Sequence, residues 1–135
     1  MYAFLSSDPR DVASVVLQFV NHVNAGDLEK MAPMLAPDHL LSDDPAQSFE
    51  GRVSALRHWR DLFSLCPDYR MDILDMERLG DSVYIVGYSR GTLPSGERSK
   101  AATTWYVRVS DTRIAEWRVY AERAIKQLQA VAVSS

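Results

Sequence analysis

The sequence has few of the features that mark secreted, metal-binding or membrane proteins. Cys66 is the one cysteine among 135 residues, which excludes an internal disulfide and a cysteine-based zinc cluster and fits a reducing, cytoplasmic compartment. No apolar run approaches the roughly 18 residues of a membrane span, and the first eight residues lack a basic segment followed by a long apolar stretch. We therefore expect neither a membrane anchor nor a secretion signal.

Positive charge is also scarce. Lysine and arginine total 15 against 18 aspartates and glutamates, a formal net charge of −3, so the chain has no basic field to hold a phosphate backbone. Nucleic-acid binding is therefore not expected. With 47% apolar and 24% charged residues the composition is globular, and we expect one domain over 1–135 with a core at about 8–122.

The first half of the chain has the period of α-helices. Apolar residues recur at helical spacing and form one stripe, made of Val12, Val15, Val16, Phe19, Val20 and Val23. Asp8 and Pro9 are expected to open this helix and Gly26 to end it. Asp27 is expected to cap a second helix, kinked at Pro33. A short extended run over 39–44 and a third helix, between Gly51 and Cys66, complete this half.

From residue 70 the apolar period changes to two. Four strands are predicted over 71–79, 82–90, 99–109 and 113–121, and a helical tail over 123–135. Helices followed by a strand meander predict an α+β fold in which three N-terminal helices pack on a strongly curved antiparallel sheet. Such a cone-shaped barrel encloses an apolar pocket.

Two patterns in the sequence resemble a catalytic motif and a metal site but lack the further features that each requires. The segment from Gly87 to Gly91 fits G-x-S-x-G, but another strand follows it and no histidine comes after His58, so we expect its glycines to permit a bend in the sheet. The other histidines, His22 and His39, lie on different elements without zinc-site spacing, which favours surface positions and no metal.

Four segments together resemble one family: 20–28 at the end of the first helix, Asp43, Asp44 and Pro45 after the second, 49–52 before the third, and 113–122 at the closing strand. In order and spacing they resemble the SnoaL-like branch of the nuclear transport factor 2-like superfamily, which is related to ketosteroid isomerases and polyketide cyclases. The resemblance covers about residues 8–122. It implies a pocket for a small molecule, and no cofactor is expected.

The resemblance implies Asp44 as the general base, because isomerases of this superfamily carry a catalytic aspartate before a proline at that position. A carboxylate at the mouth of an apolar cone is partly desolvated, which suits proton abstraction next to a carbonyl. The alternative is that Asp44 caps the turn at Pro45 and pairs with Arg52.

The same comparison shows departures from the known enzymes. Phe19 and Trp105 stand where the isomerases have their oxyanion donors, and the acids that flank an arginine in limonene-type epoxide hydrolases are missing around Arg108. Ser89, near the position of the cyclase histidine, and His58, beside Trp59, are the candidates to supplement Asp44.

Aromatic residues on converging elements are the expected substrate-binding surface. By resemblance Trp105, Trp117 and Val119 face into the cone, where Phe19 and Trp59 join them, and these rings suit an apolar, polycyclic or aromatic molecule. The alternative is that the rings simply fill a core.

We therefore expect an enzyme of acid/base isomerisation, cyclisation or dehydration. A non-catalytic binding module and an epoxide hydrolase-like enzyme are the alternatives. The opposite sheet face carries Tyr84, Val86, Tyr88, Tyr106 and Tyr120 among arginines, which predicts a homodimer through that face.

Overall fold

The computed structural model describes residues 8–43 and 47–121, so Asp44 and the predicted tail over 123–135 lie outside the described residues. The helical elements are α1 (Val12–Ala25), α2 (Leu28–Met31), a 3-10 turn (Ala32–Met34) and α3 (Arg52–Leu65). The strands are β1 (Leu35–Asp43), β2 (Gln47–Glu50), β3 (Arg70–Leu79), β4 (Ser82–Thr92), β5 (Arg98–Ser110) and β6 (Arg113–Ala121).

Within the described residues the six strands form one open sheet in the order β2-β1-β6-β5-β4-β3, and the helices pack on it. The predicted α+β arrangement and its four-strand meander are confirmed. The expectation of a purely antiparallel sheet is wrong, because β1 pairs with β6 in parallel while every other pair is antiparallel. The short β2 was not predicted, since its largely exposed residues show no alternation.

The first helix begins later than its sequence signals suggest. Asp11, not Asp8, is the N-cap, and its side chain accepts a hydrogen bond from the Ala13 N–H at 3.2 Å. Asp8 instead accepts from the Arg10 N–H at 2.9 Å and closes a turn before the helix. The helix ends at Gly26 as predicted, in the left-handed conformation (φ 64°) that glycine adopts without strain.

The second helix is a single turn. The Asp27 side chain caps it by accepting from the Lys30 N–H at 3.2 Å, as expected. The second helix was expected to run to about Leu35 with a kink at Pro33, but it ends at Met31. Pro33 instead tightens the chain into the 3-10 turn, and β1 begins at Leu35 rather than at 39.

The core lies between α1, α3 and the inner face of the sheet. Phe19 packs edge-on against Trp117, with ring centroids 5.2 Å apart, and Trp59 of α3 meets Trp117 at 5.8 Å. Trp105 and Trp117 are fully buried, so the inward face predicted for β5 and β6 is confirmed. Among the described residues no helix is long and apolar enough to cross a membrane.

The glycines of the G-x-S-x-G segment allow close approach rather than catalysis. A Cβ atom on Gly87 would overlap the carbonyl oxygen of Asp72 on β3, beside the bulge between Ile73 and Asp75. A Cβ atom on Gly91 would overlap the Cys66 sulfur. The segment continues as a strand, without the helix that a nucleophile elbow requires.

Candidate functional site

A cavity of about 290 Å³ lies between α3 and the inner face of β1, β4, β5 and β6. Apolar side chains form most of its wall, among them Leu41, Trp59, Leu62, Trp117 and Val119. Polar residues also line it: Arg90 and Ser99, and a further four, namely Asp43, His58, Tyr69 and Ser89. An apolar chamber with a few polar groups is the usual form of a small-molecule site.

These last four polar residues come from four separate parts of the chain. Asp43 is the last residue of β1 and lies two positions after Leu41, so both side chains share the inner face. His58 lies mid-way along α3, Tyr69 directly precedes β3, and Ser89 lies on β4. The fold therefore gathers groups that are far apart in sequence.

His58 is positioned by stacking and by charge. Its ring stacks on Phe49 of β2, with centroids 4.6 Å apart and planes 29° apart. Burial lowers the pKa of His58, while the nearby carboxylates of Asp43 and Asp61 act to raise it and only partly offset the burial. His58 is therefore mainly a neutral imidazole at pH 7, able to accept or donate a proton.

Tyr69 carries a protonated phenol at physiological pH. Burial raises its pKa to about 12, and the charge of Asp43 acts in the same direction. Ser89 and the Trp105 indole act on the phenol in the opposite sense but do not offset the burial. A neutral, partly buried hydroxyl of this kind can donate a hydrogen bond to a substrate oxygen.

Ser89 is hydrogen-bonded across the sheet to Thr103. The Thr103 hydroxyl donates to the Ala101 carbonyl oxygen at 2.8 Å, and Ser89 Oγ lies 3.0 Å from Thr103 Oγ1, a pair in which either oxygen can be the donor. Ser89 is also a hydrogen-bond partner of Tyr69 and acts to lower the pKa of its phenol. The Ser89 hydroxyl therefore links Tyr69 to β5.

Two tryptophans in the cavity wall have unused hydrogen-bond donors. The indole N–H groups of Trp59 and Trp117 are buried without a hydrogen-bond partner among the described residues. A buried donor left unpaired costs about 1–3 kcal/mol. These two side chains therefore leave unsatisfied donors inside the cavity wall.

Beside the cavity opening, hydrogen bonds join the loop before β3 to the end of β4. Asp68 accepts from both the backbone N–H and the hydroxyl of Thr92, each at 2.8 Å, and these bonds hold the pKa of Asp68 below its usual range. Burial raises the pKa of the Cys66 thiol, which faces Gly91 at this opening.

The structure brings together most of the residues singled out in the sequence. His58, Ser89, Trp59, Trp117 and Val119 all line the cavity. Two other predicted substrate-binding residues do not line it: Phe19 and Trp105 are fully buried and pack behind the wall.

Sequence reasoning missed Asp43 and Tyr69. Strand alternation from the buried Leu41 was a signal for Asp43, whereas nothing in the sequence around Tyr69 distinguishes it. The surface position expected for His39 is wrong, because its ring is fully buried and Nδ1 lies 2.8 Å from the Ile114 carbonyl oxygen. No three His, Cys, Asp or Glu side chains gather as metal ligands in the described part of the chain.

Fold and cavity together define an α+β protein that shares the nuclear transport factor 2-like fold of solved structures. The family model described as the SnoaL-like domain matches residues 16–117, so the chain belongs to the SnoaL-like domain family. No curated protein matches the sequence significantly.

Solved structures share this fold at low sequence identity. A candidate SnoaL-like polyketide cyclase from Shewanella denitrificans OS-217 superposes with a TM-score of 0.79 at 13% identity, covering 90% of this chain and 97% of that one. A candidate polyketide cyclase from Sinorhizobium meliloti gives 0.68 at 22%, covering 78% and 93%. A protein of ketosteroid isomerase-like fold from Catenulispora acidiphila DSM 44928, in complex with trimethylamine, gives 0.72 at 15%, covering 78% and 83%.

Proposed function

We propose that this protein is a small-molecule enzyme that isomerises, cyclises or dehydrates an apolar, carbonyl-bearing substrate by acid/base chemistry. One observation carries the proposal: a mainly apolar cavity of about 290 Å³ holds a carboxylate, a mainly neutral imidazole and a neutral phenol together. Proton abstraction next to a carbonyl needs such a set, a base on one side and donors for the developing oxyanion on the other. The cyclase-like relatives point to the same class of reaction.

Two adjacent carboxylates compete for the role of base. Asp43 lines the cavity and its charge acts on both His58 and Tyr69. Asp44 occupies the position that the family resemblance implies. We assign proton abstraction to this pair of aspartates, with His58 as the group that relays the proton.

Tyr69 is the proposed oxyanion donor. The rings of Trp59 and Trp117 line the cavity and offer apolar surface to the substrate. In this proposal Ser89 positions the phenol of Tyr69 and is not itself an acid. An apolar, aromatic or polyketide-like molecule fits the remaining wall.

The test compares Asp43→Asn with Asp44→Asn, and uses Asp111→Asn in the exposed turn between β5 and β6 as the matched control. Deuterium exchange at the activated carbon of 2-tetralone, followed by NMR, measures proton abstraction without knowledge of the natural substrate. The variant that removes the base should slow protein-dependent exchange by at least roughly 100-fold, while the control leaves it unchanged. Unchanged exchange in both variants would contradict the assignment.

A binding module without chemistry is the second candidate. The aromatic residues Phe19 and Trp105 stand at positions where related isomerases carry oxyanion donors, which favours this alternative. A protein that binds 2-tetralone but does not accelerate its exchange would support it. The epoxide hydrolase-like alternative has less support, because Arg108 does not line the cavity and instead binds Glu116 at 2.9 Å.

We further propose a homodimer through the outer sheet face. Tyr84, Val86 and Tyr120 are each about 40% exposed there, and a shallow groove runs beside them. Arg108 and Arg118 each bind one oxygen of Glu116 at 2.9 Å, so their charges are partly neutralised within one chain and do not oppose pairing. A second copy of this face supplies the matching apolar surface.

Sedimentation at micromolar concentration tests the dimer. Val86→Glu should convert a dimer of the 15.2 kDa chain to monomer, and Val53→Glu on α3, at a still more exposed valine, is the control. A wild-type monomer throughout would contradict the proposal.

We also propose that the protein acts in the cytoplasm. Its cysteine, Cys66, is a free thiol, which fits a reducing compartment.

A further inference from the structure

A basic cleft lies at one end of the sheet, on the face opposite the cavity. Strand register places Arg70 of β3 opposite Arg90 of β4, and Arg90 opposite Lys100 of β5. Arg98 lies two residues before Lys100 and projects from the same face. The four cations line a concave cleft of about 390 Å³.

Like charges directly opposite one another on neighbouring strands destabilise a sheet. In this row Asp72 is the neutralising group: it binds Arg90 and lies 3.2 Å from Arg70 Nε. Arg98 and Lys100 have no ion-pair partner within 4.0 Å among the residues that the structure describes, and Lys100 Nζ lies 4.3 Å above the Tyr88 ring.

Acidic groups near the cleft do not balance it. Asp68 lines it, but both of its oxygens are held by Thr92. Counting Asp68 and Asp72 against the four cations leaves two positive charges in excess, on a chain whose net charge is −3. Protein surfaces usually intersperse positive and negative side chains, so this excess of positive charge is a local feature of the cleft.

We propose that the cleft binds a small polyanion, a molecule that carries two or more phosphate or carboxylate groups. Planar guanidinium groups match the geometry of both oxyanions, and an anion placed across the row would relieve the repulsion among Arg70, Arg90 and Lys100. Arg90, Gly91 and Ser99 line both the cleft and the cavity, so the bound anion would lie beside the cavity opening, on the other face of the sheet. The proposal is independent of the chemistry assigned to the cavity.

Calorimetric titration of the whole protein with pyrophosphate, and separately with citrate, at low ionic strength is the test. The double variant R98Q/K100Q should bind at least roughly tenfold more weakly than the wild type. The control R57Q/R113Q removes two exposed charges elsewhere and should keep wild-type affinity. A preference for pyrophosphate would identify phosphate as the recognised group, and a preference for citrate would identify carboxylate.

Three results would overturn the inference: no binding of either anion, equal affinity in wild type and R98Q/K100Q, or an equal loss in the control. Circular dichroism of both double variants establishes that they are folded. The 2-tetralone exchange assay reports on the cavity alone, so a failure of one proposal is distinguishable from a failure of the other.

Discussion

Asn24 binds both backbone groups of Met71. Its side-chain nitrogen donates to the Met71 carbonyl oxygen at 3.0 Å, and its oxygen accepts from the Met71 N–H at 2.8 Å. One side chain at the end of α1 thus takes the place of a neighbouring strand at the edge strand β3. This contact gives a physical role to one residue of the 20–28 segment that carries the family resemblance.

Asn24→Ala should lower the free energy of unfolding by about 1–3 kcal/mol, because it removes two hydrogen bonds and leaves partly buried backbone groups unpaired. Chemical denaturation measures the loss. Asn21→Ala, an exposed asparagine on the same helix, is the control and should change stability by less than about 0.5 kcal/mol. Equal effects of the two substitutions would show that helix propensity, not the Met71 contact, is responsible.

Gly91→Ala should destabilise the fold by about 1–3 kcal/mol, since the added methyl group would overlap the Cys66 sulfur. Cys66→Ala removes that sulfur and should recover much of the loss in the double variant. A double-mutant cycle in urea measures the coupling. Additive effects of the two changes would contradict the predicted overlap.

Lowering the pH from 7 to 5 should destabilise the protein through its buried histidines. Burial lowers the pKa of His39 in the folded state, while in the unfolded chain its pKa is about 6.5. The unfolded chain therefore takes up more protons below about pH 6.5, and stability falls by at most about 1.4 kcal/mol per pH unit for each such histidine. His58 contributes with the same sign.

His39→Asn is the test of that pH dependence. Its amide can keep a hydrogen bond to the Ile114 carbonyl oxygen but does not titrate, so the slope of stability against pH should flatten between pH 7 and 5. Asn21→Ala, which removes no titratable group, is the control and should retain the wild-type slope. An unchanged slope in His39→Asn would contradict the assignment.

Thr103→Val should unfold at lower denaturant concentration than Thr103→Ser. Valine has nearly the shape of threonine but cannot accept the Ser89 proton or donate to Ala101, whereas serine can do both. We expect a difference of about 1–2 kcal/mol between the two variants. Equal stability would show that the hydroxyl bridge between β4 and β5 is unimportant.

The fold was largely predictable because its signals are local. Gly26 and Asp27 mark a helix end and a helix start, and alternation located the four strands of the meander to within about two residues. The parallel pairing of β1 with β6 has no such signal, since it depends on residues nearly eighty positions apart. The site was predictable only in part for the same reason.

The family resemblance predicts Ser89, Trp59, Trp117 and Val119 as site residues, and His58 is predicted from its place beside Trp59. All five line the cavity. Tyr69 gains its role from burial and from the proximity of Asp43, neither of which a sequence displays. Phe19 and Trp105 show the reverse case, in which aromatic residues expected at the ligand fill the core behind it.

The pairing of Leu35–Asp43 with the last strand sets an order for folding during synthesis. A ribosome releases β1 early, but its parallel partner β6 emerges only after the hairpins of β3, β4 and β5 have been made. Until β6 emerges, Leu35 and Leu41, which are fully buried in the folded protein, lack the strand that covers them. Because such distant contacts form slowly, the nascent chain exposes this apolar strand for most of its synthesis and is most prone to aggregate before β6 arrives.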